Sequence, residues 1–479
     1  MPVSSRYRAL PRITQLGDVF YDEVVPAKFP RHTLRFRNQR WAERVGLGDL
    51  SDAEWEAHFG RFEPLPNNLE KPLALRYHGH QFGVYNPFLG DGRGFLFAQV
   101  TDDVGRLLDL GTKGSGQTPW SRGGDGRLTL KGGVREVLAT EMLEALGVNT
   151  SKSMSLYETG EMLMRGDEPS PTRSSVLVRL GHSHIRFGTF QRLAHSRDLV
   201  ALDRLLDYSI AEYFPELVGT KDRLTSFLGE VARRSAVLCA SWMVSGFVHG
   251  VLNSDNMTIT GESFDYGPYR FLPAYDLGFV AAYFDHQGLY AYGQQPRAVL
   301  RNLMRLGDAL RPLASDAALG AAVSDFSTIL ADEIQRRVIR RLGLAPNQAT
   351  DPALVALVLA FLEESRAPFD AFFFDLFGGR GRLAKRPIGE GNSPYVGGTW
   401  HELRQLLELY DPAHAGPPAY FDSDGPCTLL IDEVESIWSA IDERDDWSLF
   451  EEKIRRIREM GGAYGVDENE GSAKRTSDG

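Results

Sequence analysis

What most constrains the fold of this chain is a change of periodicity at Gly181. From Leu73 to that glycine, short apolar runs alternate with glycine; beyond it, apolar residues recur at helical spacing. Gly94 to Val100 reads as a strand, Thr101 to Arg106 as a turn with paired aspartates and a glycine, and Leu107 to Lys113 as the returning strand. Together they predict a hairpin. Gly132 to Leu146 predicts a helix, with Val134, Leu138 and Met142 at i, i+4 and i+8 and Gly147 as the stop. Ser174 to Leu180 is a further strand. Helical spacing then covers Leu202 to Phe214, Thr225 to Val248, Ala298 to Ala309, Ala321 to Leu342 and Pro352 to Ser365, with more over Trp400 to Tyr410 and Leu430 to Met460.

A β-rich segment holding one helix, followed by a mainly helical one, is the order of an α+β, protein-kinase-like two-lobed fold. At 479 residues the chain is too long for one core, so two or three units are expected. The expected division has five parts. An N-terminal extension, 1–71, is rich in proline and aromatics and packs on the lobes. A β-rich N-lobe spans 72–180 and a helical C-lobe 181–400. A C-terminal helical extension, 401–465, is followed by a polar, disordered tail at 466–479.

Composition narrows the partners. A formal charge of −11 argues against a general nucleic-acid binder, which needs a basic face. Cys239 and Cys427 are the only cysteines, too few for a disulfide framework or a zinc site, which favours a reducing compartment. Arg6, Arg8 and Arg12 precede the first acidic residue, Asp18, but Pro2 and Pro11 break an amphipathic leader helix. The expected location is cytoplasmic, with mitochondrial the alternative for a eukaryotic source. Ser235 to Leu252 is uncharged and long enough to span a bilayer. Ser241, Ser245, Gly246, His249 and Gly250 dilute it, so a buried core helix is expected and no membrane partner.

Three motifs carry chemistry. Leu89-Gly90-Asp91-Gly92-Arg93-Gly94 places glycines at alternate positions before a strand, where backbone N–H groups can approach phosphate oxygens. A tight turn without a ligand is the competing reading, and Arg93 favours the anion. Lys113 ends the returning strand and Glu136 lies on the next helix, the order in which kinase-like proteins fix a phosphate-binding lysine. Glu136 lies off the Val134/Leu138/Met142 stripe, so periodicity allows either a cleft-facing or a solvated carboxylate. Between them runs a glycine- and arginine-rich stretch from Gly114 to Arg127.

The third motif is His249-Gly250-Val251-Leu252-Asn253-Ser254-Asp255-Asn256, followed by Phe264-Asp265-Tyr266-Gly267. Kinase-like enzymes use an aspartate to orient the acceptor hydroxyl, then an asparagine and a second aspartate to hold magnesium. Laid on this chain, the metal pair falls on Asn256 and Asp265, and the catalytic aspartate falls on Val251. A valine accepts no proton, so ordinary γ-phosphoryl transfer fails at this step. Asp255 remains as a spare carboxylate.

The chain resembles the selenoprotein O (SelO) family of pseudokinases. The resemblance is carried by Tyr77-His-Gly-His-Gln-Phe-Gly83, Leu89-Gly-Asp-Gly-Arg93, Lys113 to Arg122, Gly124-Asp-Gly-Arg127 and Arg135-Glu136. It continues through Ser183-His-Ile-Arg-Phe-Gly-Thr-Phe190, Phe247 to Asn256 and Asp265-Tyr-Gly-Pro268. It implies protein adenylylation: AMP passes from ATP to a Ser, Thr or Tyr hydroxyl, with release of pyrophosphate and with UMP from UTP as a variant. The resemblance further implies a reversed nucleotide. Gly90, Gly92, Arg93, Lys113, Asp125, Gly126, Arg179 and Arg186 would hold its phosphates, and Glu136 would steady Lys113. Asn256 and Asp265 would bind Mg²⁺ or Mn²⁺, and Asp255 would be the general base. The family usually closes on a cysteine or selenocysteine near its last residue; here none follows Cys427. Two other readings stay open: a phosphotransferase using Asp255 as its base, and a non-catalytic nucleotide-binding scaffold.

Overall fold

The computed structural model describes residues 4–166, 168–383, 393–413 and 416–465; the expected tail at 466–479 lies outside them. Along the chain come β1 (Tyr21–Glu23), β2 (Thr33–Arg37), β3 (Leu73–Leu75), the hairpin β4 (Gly79–Gln81) and β5 (Val84–Asn86), and β6 (Leu96–Thr101). There follow β7 (Leu107–Lys113), β8 (Leu128–Thr129), β9 (Lys152–Leu163) and β10 (Thr172–Gly181). Apart from the small hairpin these build one antiparallel sheet in the order β1-β3-β6-β7-β10-β9-β2, with β8 pairing β10. The expected hairpin is β6–β7, with Thr101 opposite Leu107. Asp102 closes its turn by accepting from the Val104 and Arg106 amides at 3.1 and 2.8 Å.

The period of two sorts the sheet into two faces. Val176, Val178 and Leu180 of β10 and Leu108 and Leu110 of β7 pack with Trp41, Trp55, Phe59 and Phe62. Leu177 and Leu107 point the other way, into the core that includes Val134, Leu138 and Met142. Lys113 and Arg179 share parity with Leu107 and Leu177, which places them on this second face.

The first 71 residues do more than rest on the outside. β1 and β2 form the two edges of the sheet. Between β2 and β3 lie α1 (Gln39–Arg44) and α2 (Asp52–Phe59), the latter opened by a Ser51–Glu54 capping box. Helices of six and eight residues are too short to print a period on the sequence. β9 also had no expectation. Its inward positions include Ser153 and Ser155, satisfied by hydrogen bonds with Thr140 Oγ1 at 2.9 Å and Trp55 Nε1 at 3.1 Å. A strand that buries serines shows no apolar alternation.

Across the second face runs α3 (Leu130–Ala145), capped by Thr129. The helical part contains α4 (Phe187–Ser196), α5 (Leu199–Tyr213), α6 (Arg223–Ser245), α7 (Gln295–Leu310), α8 (Asp316–Ala322), α9 (Phe326–Arg341) and α10 (Asp351–Ser365). Then come α11 (Phe369–Asp375), α12 (Arg380–Leu383), α13 (Gly398–Leu407), α14 (Ile431–Arg444) and α15 (Ser448–Ala463). The helix expected to reach Val248 stops at Ser245, because Gly246 takes φ +66° and Phe247 and Val248 pair with Arg270 and Phe271 as two short strands. The helix expected over 321–342 begins at Phe326, and the span over 430–460 is two helices broken at Asp445, with φ +50°. No described helix is long and apolar enough to cross a membrane. α15 packs along α3, where Arg458 Nε donates to Glu141 Oε2 at 2.8 Å, so the C-terminal helices brace the helix that carries Glu136.

Candidate active site

The site gathers at the end of the sheet's second face. Lys113, the last residue of β7, hydrogen-bonds Glu136 of α3 and donates to Asp265 Oδ1 at 2.7 Å. Glu136 is only 1% exposed, which excludes the solvated one of its two sequence readings. From β10, Arg179 Nη1 stands 3.5 Å from Asp265 Oδ1 and 3.8 Å from Glu136 Oε2. Burial alone would raise the Asp265 carboxyl. Lys113, Arg179, Arg186 and Arg93 outweigh it and hold the group well below the usual carboxylate range. His249 braces this turn, its Nε2 lying 3.0 Å from the Phe264 carbonyl.

Arg186, just before α4, is the second cationic centre. Its guanidinium lies 4.3 Å from the Tyr77 ring centroid and 4.8 Å from that of Phe264. It donates to the Asp255 carbonyl at 2.9 Å and to Asp91 Oδ1 at 3.3 Å. Asp91 is in turn held by the Leu75 amide at 3.1 Å. Tyr77, Phe264 and Asp91 each lie within a motif of the sequence, but nothing there marks them as partners of Arg186.

Asp255 sits in a short 3-10 turn, Ser254–Asn256, pressed against the β4–β5 hairpin. A Cβ on Gly79 would fall 2.7 Å from Asp255 Oδ1, so only glycine lets the hairpin approach this closely. Gln81 Nε2 lies 3.5 Å from Oδ2, whereas Oδ1 is buried with no hydrogen-bond partner. Burial pushes the carboxyl up to about 6, against the pull of Arg186. A carboxylate in that range has useful basicity near neutral pH. Asn256 Nδ2 donates to the Val251 carbonyl at 2.9 Å.

The glycine loop has a packing reason for its composition. A Cβ on Gly90 would lie 2.4 Å from the Trp120 ring. Ser121 Oγ donates to the Gly92 carbonyl at 2.5 Å and Thr118 Oγ1 to that of Asp91 at 2.6 Å. Loop 114–127 is thereby zipped onto the glycine loop. Arg93 is exposed, and its carbonyl accepts from the Gly114 amide at 2.6 Å. Asp125 is also exposed; it accepts from Arg165 Nη1 at 2.8 Å and the Arg127 amide at 2.9 Å, while the Gly126 carbonyl accepts from Gly116 at 3.1 Å. The structure therefore brings together Lys113, Glu136, Arg179, Arg186, Asp255 and Asp265, and turns Asp125 toward Arg165.

Two buried guanidinium nitrogens beside this cluster, Arg179 Nε and Arg186 Nε, have no hydrogen-bond partner, and neither has Glu136 Oε2. What would meet an anion entering the cleft is the cationic cluster itself, Lys113 and Arg179 around Asp265 with Arg186 beside Asp91.

Comparison with known proteins points the same way. A family model described as "Protein adenylyltransferase SelO" matches residues 4–458. A protein named "Protein nucleotidyltransferase YdiU" from Gloeobacter violaceus is 46% identical over 462 residues, covering 94% of each chain. One of the same name from Synechococcus elongatus is 48% identical over 494 residues, covering 96% of this chain and 97% of its own. Another, from Vibrio cholerae, is 38% identical over 374 residues, covering 78% and 74%.

Proposed function

The chain belongs to the SelO family and is a protein adenylyltransferase, and on that premise we propose how its cleft moves AMP from ATP to a Ser, Thr or Tyr hydroxyl of a protein. The observation that carries the reading is the buried Oδ1 of Asp255, which makes no hydrogen bond, next to Arg186 and in the loop where Val251 can accept no proton. The acceptor oxygen attacks the α-phosphorus, and its proton passes to Asp255. The bond from that phosphorus to the oxygen bridging to the β-phosphate breaks. Pyrophosphate leaves with the electron pair, its charge met by Lys113, Arg179, Arg186 and Arg93. Gly90, Gly92, Asp125 and Gly126 would line the same phosphate path, Asp125 after release from Arg165. Glu136 keeps the Lys113 ammonium in place.

Asn256 and Asp265 would hold Mg²⁺ or Mn²⁺, whose hard oxygen preference suits both donors. Among the described residues no cluster of three or more His, Cys, Asp or Glu side chains forms a metal cage. A bound ion would neutralise phosphate charge; Asp265, kept ionised by its cationic neighbours, is ready to ligate it.

We read the architecture as a pseudokinase of protein-kinase-like form. The N-lobe is 72–180 and the C-lobe 181–400, with extensions at 1–71 and 401–465 and a cytoplasmic location. UTP would serve as an alternative donor.

Position-specific labelling tests the chemistry. ATP labelled at the α-phosphate should mark protein, and γ-labelled ATP should not. Asp255→Asn should lower the α-label by roughly 100-fold or more, the range of general-base losses. Val251→Asp should not create strong γ-transfer, because the nucleotide still binds reversed. Robust γ-label without α-label overturns the reading in favour of a phosphotransferase.

A further inference from the structure

An aromatic ledge borders Asp255 and is left uncovered. Phe82 turns the β4–β5 hairpin with φ +49°, a conformation that bulky side chains rarely adopt. Its amide donates to Asn253 Oδ1 at 3.1 Å, and the same oxygen accepts from the Tyr290 hydroxyl at 2.6 Å. The hairpin turn is thus tied to the segment that carries Asp255, two residues further on. Despite that anchoring, Phe82 is 41% exposed. It stands edge-on to Phe284 at 6.0 Å between centroids and against Tyr290 at 5.1 Å.

Phe284 is itself 41% exposed, Tyr283 77% and Val84 71%. Two separate loops therefore hold large apolar side chains partly in water, one of them next in sequence to Gln81, whose amide lies 3.5 Å from Asp255. The second loop is pinned as well, since the Asp285 carboxylate accepts from the Leu289 and Tyr290 amides at 2.9 and 2.8 Å. The turn is held in this conformation by the Asn253 and Tyr290 contacts, and such strained positions cluster at functional sites. Clustered exposed apolar groups mark interaction surfaces.

The reaction names the occupant. A protein acceptor must bring a hydroxyl to Asp255 Oδ1, beside Gln81, and Phe82 is the next residue along. An extended chain advances about 3.3 Å per residue, so neighbours of the modified residue pass over the ledge. We propose that Phe82 and Phe284, with Tyr283 and Val84 at the rim, dock the acceptor polypeptide. They select a large apolar side chain within about three residues of the modified hydroxyl. This rests on the assignment of Asp255 as the base.

The test uses peptides with a single threonine in a polar background, in which one phenylalanine is moved through the three positions on either side. With α-labelled ATP, at least one placement should raise kcat/KM about tenfold over the all-polar peptide, chiefly through KM. In Phe82→Ser/Phe284→Ser that preference should fall to about twofold or less, with calorimetric ATP affinity checking that the cleft is folded. If no placement helps the wild type, or if the preference survives in the double variant with ATP binding intact, the ledge assignment is wrong. The wild-type arm needs no variant to fold. Label that persists in Asp255→Asn would strike the base assignment instead, a separate result from the peptide preference.

Discussion

Two charge clusters use the same side chains to opposite ends. At the far edge of the sheet, Arg35 and Arg173 meet Glu158 and Asp445, joining β2, β9 and β10 to the end of α14. Arg173 is fully engaged: Nε and Nη2 donate to Glu158 at 2.8 and 2.7 Å, Nη2 also reaches Asp445 at 2.7 Å, and Nη1 donates to the Ile441 carbonyl at 2.9 Å. In the cleft, Lys113, Arg179 and Arg186 meet Glu136, Asp265 and Asp91, and the Arg179 and Arg186 Nε atoms make no hydrogen bond. The edge cluster is a closed joint. The cleft differs in that cations from separate elements converge around Asp265 and Asp91, an arrangement that would meet a polyanion.

The largest effect should come from Asp265→Ala. Without it the triphosphate charge is uncompensated, and α-label transfer should fall roughly 1000-fold, the scale of losing a central electrostatic group. Thermal unfolding should show the variant still folded. A folded, fully active Asp265→Ala protein would make the cleft another brace.

A graded loss should separate the partners of the buried ion pair. Lys113→Ala should cost about 100-fold in transfer, and Glu136→Gln about tenfold, because Glu136 acts only by positioning the ammonium. The glutamine variant should lose more in kcat than in ATP affinity, and equal losses for the two variants would contradict a positioning role.

The smallest effect on activity should come from Arg173→Ala, which should leave transfer within about twofold while lowering stability by about 2 kcal/mol in denaturant titrations. Its pH signature is specific. Slight burial would raise the Asp445 carboxyl, but hydrogen bonds from Arg173, Trp447 and Arg35 bring it from 3.8 down to about 2. A depressed folded-state value stabilises above the unfolded one and is lost as pH falls through about 2. Wild-type stability should therefore drop between about pH 4 and 2, more steeply than that of Arg173→Ala. Parallel acid-unfolding curves would remove the edge cluster from the stability account.

Legibility in the sequence followed the kind of force involved. The β6–β7 hairpin, α3 and the long helices were readable because apolar burial prints a period. β9 was not, because serines fill its inward positions and find partners that only the folded sheet supplies. Lys113 and Asp265 stood out by motif order, and Glu136 stayed ambiguous because the cleft side of α3 lies off its apolar stripe. Tyr77 and Phe264 lay inside recognisable motifs, but their role around Arg186 was silent, since a ring on a guanidinium needs tertiary contact and has no sequence spacing. The break between α14 and α15 was hidden because Asp445, not glycine or proline, takes the left-handed turn.

Both edges of the sheet come from the first 37 residues, with Tyr21 opposite Leu75 and Leu34 opposite Tyr157. The second of these pairings spans more than a hundred residues of intervening chain, so it is late in any folding sequence. During synthesis β1 can pair as soon as β3 follows it, but β2 must wait, unpaired, until β9 has left the ribosome, while the half-built sheet presents a bare strand flank. The N-terminus then acts as a closing seam that removes that flank from self-association. A protein clipped within its first 37 residues should therefore betray itself less by lost transfer than by a tendency to aggregate while it is being made.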